Sequence, residues 1–263
     1  MLEKCFLYID ILGFSKMTMN CPEKIKKIFK ILDEIKAHHH SGFRTIVFSD
    51  TILVFNENDS HGDHYYITYL CEFVQDLFYR TIYFNVYFRA VITKGEFKYQ
   101  KLNHIESYYG KALVDCYNKE KKLKSIGLFI DKKFSKDVVT FKTVEYDVDF
   151  NYVILTQSFD YLNTVSKGVL PIEDEIFEET DMLDRIDEDL LFFREIEYLK
   201  NNHADKSVRF KYRKTYGIFK KQYPKIFKTF EVQGFLPMTI SLSNNGRINP
   251  FEIRAKNEID RCK

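Results

Sequence analysis

Two aspartates carry the first chemistry this sequence offers. Residues 6–15 read FLYIDILGFS. The run before Asp10 is apolar or aromatic, which predicts a short buried strand, and Asp10 closes it ahead of a tight apolar loop. An unpaired buried charge is expensive, so a carboxylate at that point reads as a ligand for a cation. The plainer alternative is a strand, a turn and a capped helix, with Asp10 satisfied by backbone donors. Gly13 permits close backbone approach and Ser15 is placed to cap the helix that follows. The free N–H groups of such a loop and helix start suit phosphate oxygens. Residues 44–55, RTIVFSDTILVF, read as two apolar strands folded back at Ser49 and Asp50. Asp50 stands forty positions after Asp10, again at a strand end. Two carboxylates side by side repel unless a cation lies between them. Mg²⁺ and Mn²⁺ take few protein carboxylates and complete their shell with substrate phosphates. An ordinary turn aspartate is the alternative for Asp50.

These stretches belong to a longer ordered series. YIDILGFS is followed by FSDTILVF, then by FRAVITKG at residues 88–95 and YYGKALVDCYNKE at residues 108–120. In that order and at those distances they resemble the class III nucleotidyl cyclases, over roughly residues 4–135. The resemblance implies two Mg²⁺ or Mn²⁺ ions per site, held by Asp10, Asp50 and the carbonyl of Ile11. It implies triphosphate binding at Leu12, Gly13, Phe14 and Ser15, with Thr51 beside them. It also implies a head-to-tail homodimer, with metals from one chain and Arg89 or the helix after Gly110 from the other. The family offers an Asn and an Arg to the transition state. An ungapped alignment puts Val114 and Asn118 there; a one-residue shift puts Asp115 and Lys119 there.

Purine cyclases of the family read the base with a Lys four residues before the second metal Asp and an Asp three before the helix-opening Gly. Those positions here are Ile46 and Ser107, which cannot pair with adenine or guanine in that way. The chain is therefore most similar to the bacterial pyrimidine cyclases of Pycsar antiphage systems. That resemblance implies conversion of UTP or CTP to a cyclic monophosphate and pyrophosphate, with a downstream effector acting through the product. The expected base pocket is small and lined near Ile46, with Arg44, Arg89, Tyr108 or Tyr109 reading the base edge. Two alternatives stay open: an adenylate or guanylate cyclase with a diverged base pocket, and a catalytically silent nucleotide-binding signalling module.

The bulk numbers agree with such a protein without selecting it. The 263 residues suffice for one large domain, or one domain and an extension. A hydrophobic content of 45% supplies a sizeable core, and a net charge of only +2 gives no argument for nucleic acid or a membrane surface. Aromatics are abundant, with 25 Phe and 18 Tyr but no Trp; half-buried Tyr suits interfaces. Five scattered cysteines without a CxxC pair predict reduced thiols in a cytoplasm. Asp10 falls too early for a signal peptide's apolar core, and no apolar run is long enough to span a bilayer.

The elements that must position these residues follow from periodicity. Strand one is expected over residues 4–8. Helical spacing follows through Ile25, Ile28, Phe29, Leu32 and Ile35, with Pro22 at a start or a break. His38, His39 and His40 form either a metal tract or a polar loop. A second helix is expected near residues 65–83, a strand over 85–97, a loop through Glu106, a third helix over 112–124 and a strand over 128–131. Arg89 falls opposite the apolar side of its strand, facing solvent or a site. The order predicts an α+β, ferredoxin-like βαββαβ sandwich with an added helix–strand pair, and the catalytic domain is assigned residues 1–145. Residues 146–263 are expected to be a mainly helical extension packing on the catalytic domain or on a dimer partner. Within it, residues 172–189 are acidic and residues 206–228 interleave basic with aromatic residues. The two can pair in a helical hairpin or across a dimer; single-strand binding by the second is the lesser alternative.

Overall fold

β1 (Glu3–Ile11) outlasts the apolar run that announces it. In the computed structural model, which describes residues 3–35, 41–173 and 181–241, β1 pairs antiparallel with two strands at once. Ladders on both sides carry it through Asp10 to Ile11, so Asp10 lies within the strand and not after it. Cys5, Phe6, Leu7 and Ile9 are fully buried.

Gly13, at φ 74, is the N-cap of α1 (Phe14–Asn20). That backbone conformation favours glycine. Ser15 lies inside the first turn and caps nothing. The chain breaks at Cys21 and restarts with Pro22 as the first residue of α2 (Pro22–Glu34), the position proline tolerates best. His38, His39 and His40 lie outside the described residues. β2 (Phe43–Phe48) and β3 (Thr51–Asn56) form the expected hairpin, with Ser49 at φ 56 in its two-residue turn. α3 (Asp63–Ile82) leads to β4 (Phe88–Glu96). The stretch read as a loop holds a second hairpin, β5 (Lys98–Lys101) with β6 (Glu106–Tyr109), whose strands are too short and polar to announce themselves. α4 (Lys111–Glu120) ends four residues early, and β7 (Gly127–Asp131), β8 (Thr143–Glu145) and β9 (Phe150–Val153) follow.

The main sheet runs β2-β3-β1-β4-β7-β9-β8. Its first four strands have the ferredoxin-like order, and only the β4–β7 pair is parallel. The fold is α+β. Around β1 the rings of Phe6 and Phe55 close on Phe97 at 4.8 and 4.7 Å. Each such burial contributes about 2–3 kcal/mol.

The chain divides into two compact units, and the division falls after Leu155, so β8 and β9 belong to the sheet unit. The second unit is mainly helical: α5 (Gln157–Ser166), α6 (Ile186–Asn202), α7 (Lys206–Gln222) and α8 (Pro224–Gln233). α6 and α7 make a helical hairpin, with Asp205 capping α7 through the amides of Ser207 and Val208. The basic–aromatic stretch is built into this unit. Tyr212, Tyr216, Phe219, Tyr223, Phe227 and Phe230 are all buried, so these rings form a core and not a stacking platform for bases. Phe193 meets Phe159 at 4.6 Å and Phe219 at 4.8 Å within it. The fully buried Asp189 accepts from the Phe159 amide at 2.9 Å, at the positive end of α5. Among the described residues no helix is long and apolar enough to cross a membrane.

Cys5, Cys71 and Cys116 are buried free thiols, whereas Cys21 is disulfide-bonded, against the expectation of reduced thiols throughout. Burial, with the Asp63 carboxylate adding and Lys94 opposing, pushes the Cys5 thiol up to about 12. Burial raises the other two as well. A raised thiol pKa keeps the neutral form, so at pH 8 these three should react with Ellman's reagent only as the protein unfolds. Fast reaction in the native state would contradict their burial. Gly110 opens α4, and a Cβ there would strike the Glu96 carbonyl and lie 2.6 Å from the Phe97 Cα. Gly110→Ala should cost about 1–3 kcal/mol in urea unfolding, because backbone must shift to admit it.

Candidate active site

The register around β1 decides which side chains meet. Asp10 stands opposite Thr51 on β3 and opposite Arg89 on β4. The Ile11 amide donates to the Asp50 carbonyl at 3.0 Å, tying the hairpin turn to the end of β1. Tyr8, two residues before Asp10 and on the same face, brings its hydroxyl to 3.4 Å from the Thr51 Oγ1. Burial pushes the Tyr8 phenol above its usual value, and the Thr51 hydrogen bond opposes this. The carboxylates of Asp10, Glu120 and Asp50 push it further up. All three acids therefore lie within electrostatic reach of one hydroxyl.

Arg89 binds this group together. Its Nη2 donates to Asp10 Oδ2 at 2.8 Å and also pairs with Glu120 Oε1 at the end of α4. Nη1 donates to the Leu123 carbonyl at 3.4 Å, and the buried Nε has no hydrogen-bond acceptor among the described residues. The Arg89 side chain is 13% exposed, Asp10 20% and Glu120 5%. Arg89 thus turns largely away from bulk solvent and pairs with Asp10. The Asp50 carboxylate makes no ion pair or hydrogen bond among the described residues.

The other expected site residues divide. Leu12 spends its amide on the Tyr87 carbonyl at 2.9 Å, so it cannot also donate to a phosphate. Gly13, Phe14 and Ser15 form the N-terminus of α1, where the first amides lack intrahelical acceptors. Arg44 pairs with Glu57 and lies over the Tyr99 ring at 4.2 Å. It sits opposite Phe55, near the end of the hairpin away from Asp50, so the structure does not bring it to the acids. Ile46, opposite Leu53, is nearer the turn. Ser107 lies on the separate β5–β6 hairpin, with its hydroxyl buried and unpartnered. Asn118 and Val114 are exposed on α4. Lys119 is committed to Asp131 at 2.7 Å. Two participants escaped the sequence reading, Tyr8 and Glu120. Glu120 left a signal: it continues the buried stripe Ala112, Cys116, Glu120, and a carboxylate at i+4 on an apolar stripe needs a partner.

Among the described residues no three His, Cys, Asp or Glu side chains gather to cage a metal ion. The two aspartates with a backbone carbonyl are all hard oxygen donors. They suit Mg²⁺ or Mn²⁺ completed by water and substrate phosphate, and not a closed protein-only site.

No family model matches the chain, and no curated protein matches it. Solved structures do. A bacterial light-regulated adenylyl cyclase aligns at 12% identity and a TM-score of 0.46, over 59% of this chain and 52% of that one. A monomeric guanylyl cyclase domain from the aquatic fungus Blastocladiella emersonii aligns at 14% and 0.46, over 58% and 94%. The adenylyl cyclase CyaB from P. aeruginosa aligns at 10% and 0.43, over 58% and 93%. The chain spans about half the length of the first.

Replacing Arg89 removes the guanidinium that pairs with both Asp10 and the buried Glu120. Arg89→Gln should lower unfolding stability by about 2–4 kcal/mol, read from urea denaturation. A loss under about 0.5 kcal/mol would mean that the three charges are not coupled as described.

Proposed function

We propose that this protein is a metal-dependent nucleotidyl cyclase acting on a pyrimidine nucleoside triphosphate, UTP or CTP, with release of the 3′,5′-cyclic monophosphate and pyrophosphate. The observation that carries the reading is the meeting of Asp10 and Asp50 at one end of the sheet, through the 3.0 Å hydrogen bond from the Ile11 amide to the Asp50 carbonyl. Two divalent ions there would activate the ribose 3′-hydroxyl and neutralise the departing pyrophosphate. Asp10, Asp50 and the Ile11 carbonyl are assigned as their ligands. The amides of Gly13, Phe14 and Ser15 orient the triphosphate, and Thr51 lies beside it. Ile46 and Ser107 line the base pocket and withhold the donors and acceptors a purine would need.

The active form is taken as a homodimer with composite sites. The outward placement of Val114 and Asn118 on α4 supports this, since neither is turned into its own chain's core. The product is assigned to signalling in antiphage defence, read by a separate effector, within the cytoplasm.

Incubation of the purified chain with ATP, GTP, CTP and UTP and Mn²⁺ tests the reading. Cyclic UMP or cyclic CMP should form, and Asp10→Asn or Asp50→Asn should each lower the rate by about 10³-fold or more. Turnover of a purine alone would overturn the pyrimidine assignment. Nucleotide-dependent stabilisation without turnover of any of the four would identify a silent binding module.

A further inference from the structure

We propose that Glu120 is a positioning residue that draws Arg89 off Asp10 when a divalent cation binds. The inference rests on the metal assignment above and adds a resident competitor and a place for it to go. One guanidinium nitrogen, Nη2, serves both Asp10 and Glu120. The two carboxylates come from different elements, β1 and α4, and both draw on this one guanidinium. A metal ion on Asp10 and the Arg89 guanidinium repel at that distance, so Arg89 has to leave Asp10 for the ion to bind tightly.

The surroundings fix where it goes. Nε carries a buried hydrogen without an acceptor, so Arg89 has a donor in reserve. Turned onto Glu120, Nε and Nη2 make a two-point fork on one carboxylate. Glu120 is the more buried of the two acids, at 5% against 20% for Asp10. It therefore holds the guanidinium in a less screened environment. Asp131 lies at the far end of β7 from Gly127, the residue opposite Arg89, and holds Lys119. In this arrangement Arg89 compensates the Asp10 charge before metal arrives, and Glu120 prevents that protection from becoming competition.

Mn²⁺ binding to the full chain, followed by calorimetry without nucleotide, tests this in a double-variant cycle. Glu120→Gln should weaken Mn²⁺ binding about tenfold, because Arg89 then has only Asp10 to pair with. In the Arg89→Gln background the same change should cost less than about twofold, since the competitor is gone. Equal losses in both backgrounds would mean that Glu120 acts by its own field, and no loss in either would mean that it does not act; both overturn the proposal. A second measurement reads the native chain and uses a variant only for assignment. The Arg89 Nε–Hε resonance of the native chain, assigned by its absence in Arg89→Lys, should shift on saturation with Mg²⁺; an unmoved signal overturns the proposal. Absence of metal binding by the native chain removes the metal assignment itself. Native binding with an indifferent Glu120→Gln removes the positioning role alone.

Discussion

A carboxylate placed in the middle of a sheet between two paired strands needs compensation, and the rest of the sheet unit is arranged around that need. Only a fifth of the Asp10 side chain is exposed, and β1 is paired on both edges at that residue, which fixes the backbone there. Register then makes the choice of partner. The residue opposite on β4 is Arg89, and a one-residue slip of that strand would move the guanidinium to the other face of the sheet. Packing on both faces resists such a slip, since Ala90, Val91 and Ile92 are all fully buried. Core packing therefore sets the electrostatics of the site. Asp50 is placed by a different device, a backbone hydrogen bond to Ile11, which leaves its carboxylate uncommitted.

The charge balance of this corner has a chemical consequence. Asp10, Glu120 and Asp50 all act on the Tyr8 hydroxyl, and Arg89 is the cation set among them. Lys119, the next candidate, is spent on Asp131. A polyphosphate approaching such an acidic surplus is repelled. On the proposed function, divalent cations would have to reach the acids with the anion or before it, and the amides at the start of α1 would serve only after that neutralisation.

Much of this was legible from residue types. The hairpin around Asp50, the break at Pro22, the alternation of β4 and the ferredoxin-like order all follow from apolar period and turn chemistry. What escaped has common physical causes. β5 and β6 are short and polar, so no periodicity marks them. β1 runs three residues past its expected end, because a charged residue interrupts the apolar run while strand pairing on both sides overrules that local signal. Arg44 seemed available to a base because one sequence does not show that Glu57 and Tyr99 fold back onto it. The basic–aromatic stretch at residues 206–228 read two ways until the rings were seen buried. Interleaving at helical spacing is what a core-forming amphipathic helix also produces.

The two faces of α4 bring these points together. One face carries Ala112, Cys116 and Glu120 into the sheet unit, where Glu120 holds Arg89. The other exposes Val114, Tyr117 and Asn118, with the Lys121 ammonium 3.7 Å over the Tyr117 ring. Residues four apart share a helix face, so Val114 and Asn118 project together, while Glu120, two beyond Asn118, projects elsewhere. No rotamer of Asn118 reverses that separation. A protomer that turns its acid inward to steady Arg89 must turn this polar–apolar pair outward. The proposed composite dimer would use that outward pair, since Asn118 is not turned toward Asp10 of its own chain.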